Sequence, residues 1–293
     1  MKLTTHDLIQ LKTRAEEAAL MAGALIQKAS LGPISALHKT GGSSKASQVL
    51  TEVDLASEKM ILKHLIDSMT QYDLGLLTEE SPDNNSRFEK DNFWCIDPLD
   101  GTQPFTEGRA GYSVSIALVA KDGTPQIGVV YDPVKDILYS AASQLGVFRN
   151  KKKWVSKTAS KEVVYLTFDR SFMEHPKFED VIKSLQQTLP SEGFPSIKID
   201  QYGGAVLNAI QIAENAPAAY FKFPKKEQGG GSLWDYAATA CIFKELGLTA
   251  SDIFGNSIDL NRKDSTFLNH RGIVYASDKR IALLTRKEYQ PLM

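Results

Sequence analysis

Trp94-Cys95-Ile96-Asp97-Pro98-Leu99-Asp100-Gly101-Thr102-Gln103 is the stretch on which the reading of this chain turns. An apolar segment from Phe93 to Ile96 stops at Asp97. Two carboxylates then stand three residues apart across a proline, and Gly101-Thr102 follows at once. A strand running into a turn brings Asp97 and Asp100 together at the strand's end. Like charges held that close repel, unless a cation lies between them or one takes up a proton. A cluster of oxygen donors alone suits Mg²⁺ or Ca²⁺ rather than zinc. The Gly-Thr pair offers backbone N–H groups and a hydroxyl to an anion. Asp97 to Gly101 is also ordinary turn chemistry, with proline presetting φ and Asp-Gly tolerating a tight bend. The stretch by itself leaves both readings open.

Three other segments add to it. In Thr51-Glu52-Val53-Asp54 the spacing is that of a capping box, which gives Asp54 a helix start to satisfy. A second role needs Asp54 to face a group that gives up a proton. Leu76-Leu77-Thr78-Glu79-Glu80-Ser81 places Glu79 where an apolar strand stops, a position that serves either a metal ligand or a solvated loop. In Ser232-Leu233-Trp234-Asp235-Tyr236-Ala237-Ala238, Asp235 falls in the first turn of a helix, where the macrodipole favours negative charge anyway. Jointly, Glu79, Asp97, Asp100 and Asp235 supply hard oxygen ligands from three segments, each at an element boundary. Thr102 adds a hydroxyl and Asp54 a base. That set is suited to two or three Mg²⁺ ions.

The rest of the chain sets bounds. Its 293 residues are 42% hydrophobic, enough for a substantial core. The 34 basic and 35 acidic residues leave a formal charge of −1, which gives no support for nucleic-acid binding. No segment approaches the ~20 apolar residues that span a bilayer. The N-terminus has no signal-peptide pattern. Cys95 and Cys241 both lie in apolar settings and read as buried free thiols, so a cytoplasmic location is expected.

Helical spacing predicts a long amphipathic helix over residues 5–31, capped by Thr4 or Thr5 and ended by Gly32-Pro33, and a second over 51–69. Residues 39–46 read as a loop by composition, and Leu74 to Thr78 as a strand. After Asp97 the pattern turns β-rich: 112–120 and 126–132 flank a hairpin turn, followed by 137–141 and 146–149. Lys151-Lys152-Lys153 reads as a solvated turn. Further on, strands are expected at 163–168, 218–223 and 272–277, and helices at 177–189, 205–213 and 233–246, the last closed by Gly247. Elements come in clusters rather than in strict alternation, which argues for an α+β class of mixed layers. We place a division near residue 150: an α+β half, 1–150, holding most of the acidic candidates, and an α/β half, 151–293, holding Asp235 and the segments that select substrate.

These pieces, in this order, resemble the inositol monophosphatase family of Mg²⁺-dependent, lithium-sensitive phosphatases, whose superfamily includes the 3′(2′),5′-bisphosphate nucleotidases. The resemblance spans about residues 5–285 and extends to Gly128-Val129-Val130-Tyr131-Asp132-Pro133 and Tyr202-Gly203-Gly204-Ala205. It implies an α-β-α-β-α layered sandwich and a homodimer. It further implies that Glu79, Asp97 and the Leu99 carbonyl hold one Mg²⁺, that Asp97, Asp100 and Asp235 hold a second, and that Glu79 touches a third. Thr102 and Asp54 are then the pair that activates the attacking water. Asp100, Gly101, Thr102, Gly204, Gln228 and Asp235 contact substrate, Gly101 and Thr102 through their backbone N–H groups. The chain departs from the family pattern at Pro104, where Asn is common, and at Gln228, seven residues before Asp235, where Glu is common. The basic segment Lys222 to Gln228 could meet a second phosphate or be a solvated loop. The resemblance therefore implies a phosphomonoesterase for a small polyol phosphate such as inositol-1-phosphate, with a bisphosphate nucleotidase as the alternative. An inactive relative, which would be expected to lose one of Asp54, Glu79, Asp97, Asp100, Thr102 or Asp235, is a third reading; this chain keeps all of them.

Overall fold

A computed structural model describes residues 2–32, 36–38, 49–156 and 162–289. Helix α1 (Thr5–Ala29) opens on a capping box between Thr4 and Asp7 and buries Leu8, Leu11, Ala15, Ala18, Ala22 and Ile26 along one stripe. It ends at Ala29, short of the expected residue 31. A two-stranded antiparallel ribbon, β1 (Ala36–His38) with β2 (Val49–Thr51), follows. The expected loop at 39–46 lies outside the described residues. Helix α2 (Glu52–Tyr72) runs beyond its expected end and stops at Asp73, which is left-handed (φ 51°).

Seven strands then build the larger sheet. They are β3 (Gly75–Thr78), β4 (Asn92–Asp100), β5 (Ser113–Ala120), β6 (Pro125–Asp132), β7 (Ile137–Ala142), β8 (Gly146–Arg149) and β9 (Lys152–Trp154), in that order across the sheet. Only β3 and β4 pair in parallel. Two short helices, α3 (Ser86–Glu89) and α4 (Thr102–Thr106), flank β4. The three-lysine run is only in part a turn. Asn150 and Lys151 take positive φ and make the bend, while Lys152 and Lys153 are exposed on the edge strand β9. Exposed lysines on an edge discourage further strand pairing.

The smaller sheet has the order β11-β10-β12-β14-β13. Its elements are β10 (Val163–Thr167), α5 (Arg170–Met173), α6 (Phe178–Thr188), β11 (Ser196–Asp200), α7 (Ala205–Glu214), β12 (Ala218–Lys222), α8 (Leu233–Leu246), β13 (Thr249–Ser251), β14 (Ile273–Ala276) and α9 (Lys279–Lys287). Strand β10 is parallel to both β11 and β12.

Alternation along the strands explains how the layers stack. Trp94 and Ile96 of β4 pack with α1 and α2, whereas Phe93 and Cys95 pack with α7 and α8. On the small sheet, Tyr220 and Tyr275 face α7 and α8, while Phe221, Val274 and Ala276 face α6 and α9. The order is α1/α2, large sheet, α7/α8, small sheet, α6/α9, an α-β-α-β-α sandwich. A sheet covered on both faces reads as a continuous apolar run, as β4 and β5 do. Both cysteines are buried and free. Among the described residues, no helix is long and apolar enough to cross a membrane.

Candidate active site

The end of β4 differs from its expected form. The strand does not stop at Ile96 but runs through Asp97-Pro98-Leu99 to Asp100. Asp97 pairs with Ser115 and Asp100 with Ser113, so three steps on β4 oppose two on β5. The extra residue is a bulge, and proline is tolerated at a bulge because no ladder N–H is lost there. In a regular strand, residues three apart face opposite sides. Alternation already turns Asp97, in line with Phe93 and Cys95, toward the face where Ser115 Oγ donates to the Trp234 carbonyl of α8 (3.2 Å), and the bulge brings Asp100 to the same face. Asp235 stands on that helix. Oxygens of Asp97, Asp100 and Asp235 converge to within 4.8 Å of one another.

Each carboxylate has its own anchor. Asp97 Oδ1 accepts the Leu99 N–H (3.0 Å). Asp100 is held by the first turn of α7, with Oδ1 accepting from Ala205 N–H and Oδ2 from Val206 N–H, both at 3.0 Å. Gly204 makes that approach possible, since a Cβ there would lie 2.3–2.5 Å from the Asp100 carboxyl atoms. Asp235 closes a capping box with Ser232 at the start of α8. Two of the three acids thus sit at helix N-termini, whose partial positive charge favours them.

That favour is not enough to offset burial. Burial first, then the charges of Glu79, Asp100 and Asp235, push the Asp97 carboxyl well above the usual range. Burial and Asp235 do the same to Asp100, against the Val206 N–H. Asp235 is pushed up to about 7 by burial and Glu79, with the Ser232 N–H and Lys222 opposing. A dense set of hard oxygen donors that cannot all ionise alone fits a divalent cation such as Mg²⁺. Glu79 flanks the trio: its N–H donates to the Ile96 carbonyl at 3.2 Å, extending the β3–β4 pairing up to Asp97.

Asp54 caps α2 with one oxygen and faces the Thr102 hydroxyl with the other. Its Oδ2 accepts from Thr51 N–H (2.7 Å) and Thr51 Oγ1 (2.5 Å), capping α2. Its Oδ1 lies 3.0 Å from Thr102 Oγ1, which donates to it, with the Leu99 carbonyl a second acceptor at 3.1 Å. Gly101 takes the cap position of α4, with φ 86°. A Cβ there would meet the Gly111 carbonyl at 2.5 Å. Thr102 opens the helix and Pro104 falls in its first turn, where a missing N–H costs little.

Gln228 is exposed on the loop between β12 and α8. That loop carries Gly229, Gly230 and Gly231, all at positive φ. Lys226 is exposed with it, and Lys225 is half-buried. Lys222, at the end of β12, turns inward instead: it pairs with Asp169 and donates to the Gly230 carbonyl (3.2 Å). Burial disfavours its charge, but Asp169 and Tyr236 outweigh that and hold it above the ordinary lysine value. Asp169 also accepts from Asn208 Nδ2 (2.9 Å) and the Tyr220 hydroxyl (3.1 Å). Sequence reading missed Asp169, although its signal was that of Glu79, a carboxylate just past an apolar strand.

The profile of the family described as "Inositol monophosphatase family" matches residues 7–290. An inositol-1-monophosphatase of Synechocystis is 30% identical over 84% of this chain and 80% of its own length. The 3′(2′),5′-bisphosphate nucleotidase CysQ of Salmonella typhimurium is 29% identical over 75% of this chain and 82% of its own. The solved inositol monophosphatase of Anabaena superposes with a TM-score of 0.70 at 25% identity, covering 97% of each chain. Members of this family are phosphatases and in general Mg²⁺-dependent, and the acidic trio is the donor set such an ion needs. The chain is a phosphatase that belongs to the inositol monophosphatase family.

Proposed function

We propose that this phosphatase hydrolyses a small polyol monophosphate such as inositol-1-phosphate, using two or three Mg²⁺ ions. The observation that carries the hydrolytic reading is the convergence of Asp97, Asp100 and Asp235 beside the Thr102–Asp54 hydrogen bond. Glu79, Asp97 and the Leu99 carbonyl would hold one ion; Asp97, Asp100 and Asp235 a second; Glu79 borders a third. When bound, the ions neutralise phosphoryl oxygens, make a water more acidic and stabilise the departing oxygen. The chain's own residues do the rest. Thr102 Oγ1 accepts a hydrogen from the attacking water and passes its own proton toward Asp54 Oδ1, which fixes the line of attack on phosphorus. The Thr51 N–H and hydroxyl hold the other Asp54 oxygen in place. Gly101 and Thr102 present the start of α4 to the phosphate.

The polyol reading draws on the Synechocystis relative, and the nucleotidase relative keeps a bisphosphate substrate as the second reading. Phosphate release with Mg²⁺, measured on inositol-1-phosphate and adenosine 3′,5′-bisphosphate, separates them. We expect the higher kcat/KM on the monophosphate; a preference for the bisphosphate overturns the substrate, and background rates on both overturn the reading itself.

A further inference from the structure

We propose that the Asp169–Lys222 ion pair is the leaving-group subsite, and that it sets the enzyme for an uncharged polyhydroxyl leaving group against one bearing a second phosphate. The inference rests on the phosphomonoesterase reading above and specifies its substrate class.

The layers place the pair. Asp54 comes from α2, Asp97 and Asp100 from the large sheet, Asp235 from α8, Lys222 from the end of β12 in the small sheet, and Asp169 from just past β10 of that sheet, at the cap of α5. The acids therefore span four successive layers, with the water-activating pair at one side of the trio and the ion pair at the other. The hydrogen bonds agree. Asp169 accepts from Asn208 of α7 (2.9 Å), the helix whose first turn holds Asp100 through the Ala205 and Val206 N–H groups. Phosphoryl transfer sends the leaving oxygen out opposite the attacking one. With water activated at Thr102, the leaving group departs toward the small sheet. Strands β10 and β12 are parallel, so their carboxyl ends open at one edge, the usual place for a ligand in such sheets. Asp169 and Lys222 both stand at that edge.

The pair is built to be neutral. Lys222 meets Asp169 Oδ2, while Asn208 and Tyr220 donate to Oδ1. The ammonium also lies 5.6 Å from the Tyr236 ring and 5.8 Å from that of Tyr220. The side chains keep 13% and 19% accessibility for Lys222 and Asp169, so a ligand can touch them. A carboxylate beside an ammonium offers a polyol both an acceptor and a donor. It offers a phosphate dianion a cation whose charge is already matched, next to a carboxylate that repels it.

Asp169→Asn tests this, because the amide oxygen can still accept from Asn208 and Tyr220 while the charge matching Lys222 is gone. We measure kcat/KM for inositol-1-phosphate and adenosine 3′,5′-bisphosphate in wild type, in Asp169→Asn, and in the double variant Asp169→Asn/Lys222→Gln, which leaves no unpaired buried charge if the single variant folds poorly. In the single variant the monophosphate value should fall several-fold. The bisphosphate value should rise about tenfold, mostly through KM, as one freed charge-assisted contact provides. The double variant should lose that rise. An unchanged substrate ratio in Asp169→Asn, or a bisphosphate gain that persists in the double variant, overturns the assignment. A wild type that releases phosphate from neither substrate overturns the underlying reading instead, so the two failures are distinct.

Discussion

Acids are buried in two different ways in this molecule. Asp252, near β13, is fully provided for: its oxygens accept from the backbone N–H groups of Phe254 (2.9 Å) and Asn256 (2.8 Å), and Arg271 pairs with it. Asp97 and Asp100 are just as buried and Asp235 is partly so, yet among the charges that act most on them, others of the same sign predominate. A paired acid contributes to the fold. A group of acids massed against one another destabilises it until a cation arrives, and a fold retains that arrangement for what the cation does there.

The largest break in this contrast comes from Asp97→Asn. Turnover should drop by about a thousandfold or more, because several kcal/mol of transition-state stabilisation depend on the ions. The metal-free protein should melt no lower than wild type, since one repelling charge is gone. Steady-state kinetics beside a thermal melt in EDTA checks both halves, and near-normal activity would show that the ligand assignment is wrong. Next is Thr102→Ala, which should slow kcat about a hundredfold while Mg²⁺ affinity stays nearly constant. A Mg²⁺ titration that instead shows a large loss of affinity contradicts the role of Thr102 toward water.

Asp252→Ala sharpens the other side. It strips a satisfied acid, leaving two backbone donors and Arg271 without it, and should cost about 1–3 kcal/mol of stability with kcat intact. Denaturant titration and kinetics on the same sample measure this. The smallest effect is on pH. The trio's carboxyls are raised in the folded state, Asp235 to about 7 from an unfolded value of 3.8. The folded protein thus binds more protons than the unfolded chain across that interval. Metal-free stability should fall as pH rises from about 4 through 7. Melting in EDTA at pH 5.5 should exceed that at pH 8 by about 2–4 °C, and saturating Mg²⁺ should erase the difference. A metal-free melt that rises with pH in this window contradicts the sign.

How much of this was legible in the chain depended on whether the signal was local. The capping boxes at Thr51–Asp54 and Ser232–Asp235 were, because spacing and residue type suffice for them. The mixed-layer class was legible too, from strands and helices that come in clusters rather than in strict alternation, while the five-layer order came only with the family resemblance. The passage of β4 through Pro98 was not. An acid and a proline end most strands, and here the continuation depends on pairing with Ser113 and Ser115, which only the folded sheet supplies. Counting back seven residues from Asp235 pointed to Gln228. Three consecutive glycines at positive φ lie between them, a backbone path that a count of residues does not foresee. Strand β11 escaped notice because it is a largely exposed edge with little apolar content to reveal it. The capture of Asp100 by α7 joins residues 105 and 106 positions apart, and Gly204 is its only local trace.

The central claim is that three converging carboxylates, two buried and one half-buried, form one cation site. The direct measurement is a crystal structure with Mn²⁺ substituted for Mg²⁺ and data collected for anomalous scattering. The account predicts a strong peak bounded by the carboxylates of Asp97, Asp100 and Asp235. Well-ordered carboxylates with no peak among them, or a peak only elsewhere in the molecule, would contradict it.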